Sequence, residues 1–287
     1  MAQRPARKKA QVNTAEVVRT ERLTPHLMRV VLGGETLRGL GVGEFTDHYV
    51  KLLFPAEGTT LPDSPEPFDL EALRRELPRQ QWPVTRTYTV RRWDPRALEL
   101  TIDFVVHGDE GRAGPWALRA RPGERVHFLG PGGAYAPDPA ADWHLLAGDE
   151  SALPAIAASL EHLPPGARAY AFLEVTGPGE QLPLAAPEGV EVTWLHRGAE
   201  RVGSRLVDAV REFAFPAGRV HAFVHGEAAM VKELRHLLRL ERGIPREDLS
   251  ISGYWRLGHT EEGWRAVKQD WNARIEAEQE TPPAAAA

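Results

Sequence analysis

Arg86-Thr87-Tyr88-Thr89 has the form Arg-x-Tyr-Thr and lies within the apolar-alternating run 84–90. Tyr and Thr favour pleated strands, and an alternation of period two places Arg86 and Tyr88 on one face. The strand therefore offers a cation and a flat phenol together, with the Thr89 hydroxyl beside them. These groups suit a ligand with a phosphate, a planar ring and a polar ring edge, which a flavin nucleotide combines. For four residues taken alone, an ordinary half-exposed edge strand is the alternative.

The chain of 287 residues is long enough for one large domain or two of ordinary size. Its 42% hydrophobic and 26% charged residues are typical of a soluble globular protein. A formal net charge of −5 gives no overall basic field, so we do not expect a nucleic acid partner. No apolar run approaches the ~20 residues that cross a bilayer. Residues 1–10 are basic without a following apolar segment, which predicts a disordered arm and not a secretory signal.

The chain contains no cysteine. This excludes disulfides, thiolate catalysis and a cysteine-ligated iron–sulfur cluster, so any redox chemistry requires a bound organic cofactor. The histidines form no ligand-like cluster, and we expect neither a protein metal site nor an acid–base triad. A cytoplasmic location and a monomeric state are the default expectations, because nothing in the sequence demands otherwise.

Residues 11–135 read mostly as short β-rich segments separated by Gly and Pro, which predicts an antiparallel barrel. A short helix is expected over 69–77, inside a long connection. Prolines and glycines over 131–139 mark a boundary near residue 138. We therefore predict a barrel domain over residues 12–138.

After Trp143 predicted strands and helices alternate, which indicates a parallel, doubly wound sheet over residues 139–258. The last segment, 259–287, is predicted to hold a charged helix over 261–278 and a low-complexity tail over 281–287. The strands are predicted at 144–148, 169–175, 190–195, 220–224 and 249–253, and the helices at 152–163, 203–213 and 228–242.

A barrel followed by a parallel α/β domain, with Arg-x-Tyr-Thr in the barrel, resembles the ferredoxin-reductase-like flavoproteins. More narrowly, the chain resembles the siderophore-interacting proteins, a family of NAD(P)H-dependent ferric-siderophore reductases. The resemblance covers nearly all of residues 12–275 and rests on six segments that occur in a fixed order. These segments are His48-Tyr-Val-Lys-Leu-Leu-Phe-Pro, Arg86-Thr-Tyr-Thr-Val-Arg, Asp103-Phe-Val-Val-His-Gly, Gly130-Pro-Gly-Gly-Ala-Tyr-Ala-Pro, Leu146-Ala-Gly-Asp-Glu-Ser-Ala-Leu-Pro-Ala-Ile and Ser252-Gly-Tyr-Trp-Arg-Leu-Gly.

The resemblance implies that the strand of residues 86–89, Thr87 included, lies along FAD. Arg86 would then pair with the pyrophosphate, since a guanidinium fork fits phosphate oxygens. Tyr88 would pack on the isoalloxazine, and Thr89 would lie near the reactive ring nitrogen.

A second flavin contact is expected after the next strand. By resemblance His107 and Gly108 line the flavin, although a strand-end histidine on a turn fits His107 equally well. Pro115 suits the first turn of a helix, whose free N–H groups attract anions. The backbone of Ala113, Gly114 and Trp116 is therefore the predicted seat of the flavin pyrophosphate.

The second domain lacks a G-x-G-x-x-G fingerprint after its first strand and has Gly148-Asp149-Glu150-Ser151 instead. The resemblance implies that Asp149, Glu150 and Ser151 face the cofactors, and a helix N-cap is the alternative for at least one of them.

Four further positions are assigned to cofactor binding in this domain. Gly226 would allow close approach of the nicotinamide dinucleotide, and Glu227 stands at a helix start. Arg197, with Arg201 as second candidate, would hold the 2′-phosphate of NADPH, and a solvated surface arginine is the alternative. Trp255 would shield the flavin face or anchor the terminal helix.

The function implied by the resemblance is electron transfer from NADPH or NADH through FAD to a ferric siderophore, with release of Fe(II). Such a substrate is usually anionic, so basic side chains would hold it, and ordinary surface charge is the alternative for each. Two other functions stay open. One is a general flavin reductase or electron donor to a protein partner, and the other is a siderophore-binding module without turnover. The candidate substrate contacts are Lys51, Arg256, Arg265 and Lys268.

Overall fold

A computed structural model describes residues 11–64, 66–108 and 111–280. The arm expected at residues 1–10 and the tail expected at 281–287 lie outside this part. The described chain forms two compact units. The first holds most of the residues up to Ala134, and the second holds the chain from Tyr135 onward together with Thr24–His26 and Phe45–Asp47.

The first unit is a six-stranded antiparallel barrel, as the sequence predicts. Its strands follow the ring order β2-β6-β5-β3-β7-β1, and a β1–β2 pairing closes the ring, with the short strand β4 added to β1. Two helices, α1 and α2, accompany it. The elements are β1 (Gln11–Thr24), β2 (Leu27–Gly33), β3 (Tyr49–Phe54), β4 (Phe68–Asp69), α1 (Leu70–Glu76), β5 (Val84–Asp94), β6 (Glu99–Val105), α2 (Ala113–Arg119) and β7 (Arg125–Gly132).

The barrel core is built by the inward-facing residue of each alternating pair. Val50 and Leu52 on β3, and Leu100 and Ile102 on β6, are fully buried in one apolar cluster. Ala117 of α2 joins the same cluster, so this helix covers part of the barrel interior. The period-two pattern of the sequence therefore sets both the register and the inside of the barrel.

The second unit contains a five-stranded, wholly parallel sheet in the order β10-β9-β8-β11-β12. Its central strand β8 is buried along its entire length, which explains its continuous apolar sequence. Helices pack against the sheet, and the predicted fold class is confirmed. The elements are β8 (Trp143–Gly148), α3 (Leu153–Glu161), β9 (Ala169–Val175), β10 (Val190–His196), α4 (Ser204–Glu212), β11 (Val220–Glu227), α5 (Ala228–His236), β12 (Leu249–Trp255) and α6 (Glu261–Glu280).

The predicted helix over 228–242 differs from the structure in its last turn. The α-helical part ends at His236 and the chain continues as a π-helical turn over Leu237–Glu241. The N–H of Arg242 donates to the carbonyl of Leu237 at 2.9 Å, five residues back. The wider turn keeps Leu237 and Leu238 buried in the core beside Ile244. Within the described residues, none of the helices has the length and apolarity needed to span a membrane.

Helix α4 begins at a glycine that no other residue can replace without strain. Gly203 has a φ of +87°, and a Cβ built on it would lie 2.3 Å from the Cβ of Met230 on α5. Its N–H donates to Oε1 of Glu174 at 2.6 Å. This close approach lets α4 and α5 pack against each other.

We predict that Gly203→Ala destabilises the protein far more than Gly198→Ala. Gly198 also has a positive φ, +57°, but nothing lies within 4 Å of its Cβ position. Both variants carry the left-handed backbone cost of roughly 1–2 kcal/mol, and only Gly203→Ala adds an overpacking cost of roughly 1–3 kcal/mol. Denaturant unfolding followed by tryptophan fluorescence measures both, and equal losses of stability would contradict the contact with Met230.

Candidate functional site

The Arg-x-Tyr-Thr strand is β5, and its pairing with β3 sorts its side chains onto two faces. Tyr88 lies opposite Val50, and Thr89 lies opposite Tyr49. Arg86 and Tyr88 share the face of the buried residue Val50, as predicted from the alternation. Arg86 is half-buried and donates from Nη1 to the carbonyl of Thr85 at 2.9 Å.

The opposite face of β5 carries the two threonines of the Arg-x-Tyr-Thr motif. Thr87 is exposed and lies opposite Lys51, and Thr89 is only 8% exposed. Lys51 has its Nζ 5.9 Å from the centre of the Tyr49 ring. One of the four proposed substrate contacts therefore lies on the barrel, beside the proposed flavin strand.

An aromatic row fixes the position of the Tyr88 ring. Its centre lies 4.3 Å from that of Phe104, with a 40° angle between the rings. Phe104 in turn lies 5.5 Å from Trp116, whose ring is 5.8 Å from Phe54. Tyr88 is half-buried, so packing holds the ring while part of its surface stays exposed.

The connection from β6 to α2 contains two glycines whose backbone has free space beside it. Gly108 and Gly111 have φ of +58° and +82°, and nothing lies within 4 Å of a Cβ built on either. His107, before them, is exposed. Gly114 packs closely instead, because its Cβ would be 3.4 Å from the Val105 carbonyl.

The start of α2 contains the three predicted phosphate donors. The N–H of Trp116 already donates to the Arg112 carbonyl at 3.1 Å, and its indole N–H donates to Glu124 at 2.7 Å. Helix α2 has no side-chain cap. Ala113 and Gly114 are therefore the better-placed backbone donors for an anion.

These barrel residues fit a flavin dinucleotide. The donor set combines a half-buried guanidinium at Arg86, a packed but accessible phenol at Tyr88, and uncapped backbone at the start of α2. The glycines at 108 and 111 leave room beside that backbone. Planar, hydrogen-bonding and anionic groups each have a chemically suited counterpart here.

In the second unit, Asp149 connects three segments at the carboxyl ends of the strands. It is 1% exposed. Its Oδ1 accepts from the N–H and hydroxyl of Ser151 at 2.9 and 2.5 Å. Its Oδ2 accepts from the N–H of Glu227 at 2.8 Å and from the indole N–H of Trp255 at 2.9 Å. Burial raises the pKa of Asp149 to about 6, and the charge of Glu150 acts in the same direction.

The neighbouring Gly226 and Glu227 form a tight elbow between β11 and α5. Gly226 has a φ of +141°, and a Cβ there would be 2.7 Å from the Asp149 carboxylate. Glu227 is the N-cap of α5 and accepts from the N–H groups of Ala229 and Met230 at 2.6 and 3.1 Å. Its other oxygen accepts from the N–H of Leu257 at 3.2 Å. Glu227 therefore caps α5, and its carboxylate is engaged by backbone, whereas α3 has no side-chain cap.

Glu150 and Arg197 form a nearly buried ion pair. Nη1 of Arg197 lies 2.8 and 2.9 Å from the two Glu150 oxygens. Glu150 Oε1 also accepts from the N–H and hydroxyl of Thr176 at 2.9 and 3.1 Å. Arg201 instead makes an exposed pair with Glu233 at 2.8 Å. Arg197 is therefore not the solvated surface arginine that was the alternative expectation.

The remaining predicted substrate contacts lie on and around β12 and α6. Lys268 donates from Nζ to the Ser252 hydroxyl at 3.1 Å. Arg256 has its guanidinium 5.8 Å from the centre of the Trp264 ring, and Arg265 is exposed on α6. Burial lowers the pKa of Lys268. Three of the four basic candidates thus belong to one segment of the second unit.

His225 is a notable polar side chain that the candidate set omits. It is 5% exposed, and its Nε2 lies 3.0 Å from the Ser250 hydroxyl. Burial, assisted by the charge of Lys268, lowers its pKa to about 3, so the ring is neutral at physiological pH. The sequence feature that could have identified His225 is its position directly before Gly226, near the end of the largely buried strand β11. Among the described residues no group of three or more His, Asp or Glu is arranged to hold a metal ion.

Comparison with known proteins agrees with this architecture. Residues 16–135 match the family model "Siderophore-interacting FAD-binding domain", and residues 141–258 match "Siderophore-interacting protein". A ferredoxin reductase of carbazole 1,9a-dioxygenase shares the fold at a TM-score of 0.61 and 17% identity, over 85% of this chain and 69% of that one. The described chain therefore has a ferredoxin-reductase-like fold.

Three relatives are similar to this chain over most of their length. Ferric vibriobactin reductase ViuB of Vibrio cholerae is 37% identical, over 87% of this chain and 91% of its own length. An NADPH-dependent ferric-chelate reductase of Escherichia coli is 32% identical, over 83% and 91%. A siderophore utilization protein from T. fusca has a crystal structure with a TM-score of 0.74 and 42% identity, over 87% and 94%. The chain belongs to the siderophore-interacting protein family.

We predict that the stability gap between wild type and Asp149→Asn narrows as the pH rises from about 4 to about 6. The pKa of Asp149 is about 6 in the folded chain and near 3.8 in the unfolded chain. Between these two pH values the unfolded chain loses this proton first, so the contribution of Asp149 to the free energy of unfolding falls as the pH rises. The narrowing should reach up to about 3 kcal/mol, because one pKa unit corresponds to about 1.4 kcal/mol.

Denaturant unfolding of both proteins across this pH range tests the prediction. An asparagine offers one acceptor oxygen where four donors converge, so the variant should also be less stable at neutral pH. A gap that stays constant with pH would show that Asp149 has an ordinary pKa.

Proposed function

We propose that this protein is a flavin-dependent reductase that passes electrons from NADPH or NADH through FAD to a ferric siderophore and releases Fe(II). The observation that carries the proposal is the Arg-x-Tyr-Thr strand, with Arg86 and Tyr88 on one face of a barrel whose family model is an FAD-binding domain. The relatives named as ferric reductases support the same reaction class.

The barrel residues would hold and orient the cofactor. Arg86 supplies a positive charge for the pyrophosphate, and the N–H groups of Ala113 and Gly114 add backbone donors at the start of α2. Tyr88 offers a ring that Phe104 keeps in place. Bound flavin supplies hydride acceptance and single-electron transfer, and the protein contributes position and electrostatics.

The second unit would bind the nicotinamide dinucleotide at the carboxyl ends of its strands, where open α/β sheets bind ligands. Gly226 brings backbone to that edge without a side chain, and the bonds of Asp149 to Glu227 and Trp255 keep the elbow fixed. Ser151 is held by the same carboxylate. We assign these residues to positioning, because their polar atoms are engaged within the protein.

The substrate would be an anionic ferric chelate. Lys51, Arg256, Arg265 and Lys268 supply positive charge for it, three of them from the β12–α6 segment. Hard oxygen ligands prefer Fe(III), so reduction weakens the chelate and favours release of Fe(II). Burial lowers the pKa of Lys268, and a bound anionic substrate would oppose that shift.

We predict that Arg86→Gln weakens FAD binding by about 10- to 100-fold, since a charge-assisted phosphate contact contributes roughly 1.5–3 kcal/mol. Arg92→Gln is the matched control, because Arg92 lies on the same strand with a 70% exposed side chain. Titration of the apoprotein with FAD, followed by flavin fluorescence, measures both. Equal FAD affinities of the two variants would show that Arg86 does not contact FAD.

The reaction itself is tested with purified FAD-loaded protein under anaerobic conditions. We expect NADPH or NADH to bleach the flavin absorbance, and a ferrous chelator to capture Fe(II) only when ferric siderophore is added. Rapid reduction of free flavin with little ferrous capture would instead identify a general flavin reductase. Siderophore binding by a protein that takes up no FAD would identify a binding module and overturn the proposal.

A further inference from the structure

We propose that Glu150 is a specificity-determining residue that favours NADH, because it withdraws Arg197 from binding the 2′-phosphate of NADPH. This inference rests on the proposed function, which places a nicotinamide dinucleotide at the carboxyl ends of the parallel strands. It concerns only the choice between the two dinucleotides.

The ends of β9 and β10 are where this choice is normally made. In doubly wound sheets an acidic residue after the second strand binds the ribose 2′-hydroxyl, or a nearby arginine accepts the 2′-phosphate. Here β9 is the second strand of this sheet in chain order and contains Glu174 as its next-to-last residue, and Arg197 directly follows β10. The strands pair in parallel with Val175 opposite His196, so these positions are adjacent.

Both residues are already engaged with the protein. Glu174 is fully buried and accepts from the N–H groups of Gly203 and Leu206 at 2.6 and 3.1 Å, at the start of α4. Arg197 donates from Nη2 to the Thr176 hydroxyl at 2.9 Å. Its Nη1 lies 2.8 Å from Glu150 and 3.7 Å from Glu174.

The charges at this position disfavour a phosphate. The side chains of Arg197, Glu150 and Glu174 are 14%, 15% and 0% exposed, so solvent screens them poorly. One guanidinium faces two carboxylates, which leaves the cluster with one net negative charge. A dianionic 2′-phosphate would meet this charge, whereas the 2′-hydroxyl of NADH carries none. Arg201 is paired in turn with Glu233, at 2.8 Å.

The experiment compares anaerobic flavin reduction by NADH and NADPH, as kcat/KM, in wild type and Glu150→Gln. We expect wild type to favour NADH by about tenfold or more, the size of effect that close charge pairs produce. The glutamine keeps an oxygen for Thr176 but removes the charge facing Arg197. The NADPH/NADH ratio of kcat/KM should therefore rise by about tenfold in the variant.

Glu276→Gln is the matched control, since it removes one carboxylate from an exposed pair with Arg246, which precedes β12. Its ratio should stay within about twofold of wild type, as expected for a screened surface charge. Inhibition by 2′-AMP and by 5′-AMP gives a second readout that does not depend on hydride transfer. Glu150→Gln should bind 2′-AMP more tightly relative to 5′-AMP, and thermal melting verifies that it folds.

The outcomes separate this inference from the proposed function. Preference of wild type for NADPH, with loss of that preference in Glu150→Gln, would overturn the inference and show that the ion pair orients Arg197 towards phosphate. An unchanged ratio in a folded variant would overturn it as well. If neither dinucleotide reduces the flavin in wild type, the proposed function itself fails.

Discussion

The second unit depends on three buried carboxylates that accept backbone N–H groups where strands turn into helices. Asp149, Glu174 and Glu227 are 1%, 0% and 4% exposed. Each accepts from at least one backbone N–H at a distance of 2.9 Å or less. Glu174 and Glu227 accept from N–H groups in the first turns of α4 and α5, which have no intrahelical partners, and their charge complements the helix dipole. Asp149 instead accepts from the N–H groups of Ser151 and Glu227, which lie just before α3 and α5. The carboxylates therefore hold together the edge of the sheet at which we propose that a dinucleotide binds.

Glycines complete this arrangement at two of the turns, because neighbouring side chains occupy the space that a Cβ would need. A Cβ at Gly226 would collide with Asp149, and Gly203 combines its bond to Glu174 with close contact to Met230. Both glycines have positive φ, which other residues adopt only with strain. Gly226 with Asp149, and Gly203 with Glu174, thus form two pairs in which each position constrains the other.

Much of the fold could be predicted from the sequence because its signals are local. The period-two alternation of residues 84–90 predicted the two faces of β5. The alternation of strands and helices after Trp143 predicted the parallel sheet. The engagement of Arg197 could not be predicted in this way, because its partner Glu150 is 47 positions away along the chain. The bond from Trp255 to Asp149 spans 106 positions. Side-chain partners at such distances are set by the packing of the sheet.

The acidic run Asp149-Glu150 shows why a motif can have a function different from its local appearance. At a helix start both residues look like caps, yet Asp149 joins β12 to the β11–α5 elbow, and Glu150 joins Thr176 to Arg197. The segment after β8, where other doubly wound sheets have a glycine-rich phosphate loop, thus has side chains that bond within the protein. The dinucleotide that we propose for this edge would contact the surface that these bonds support.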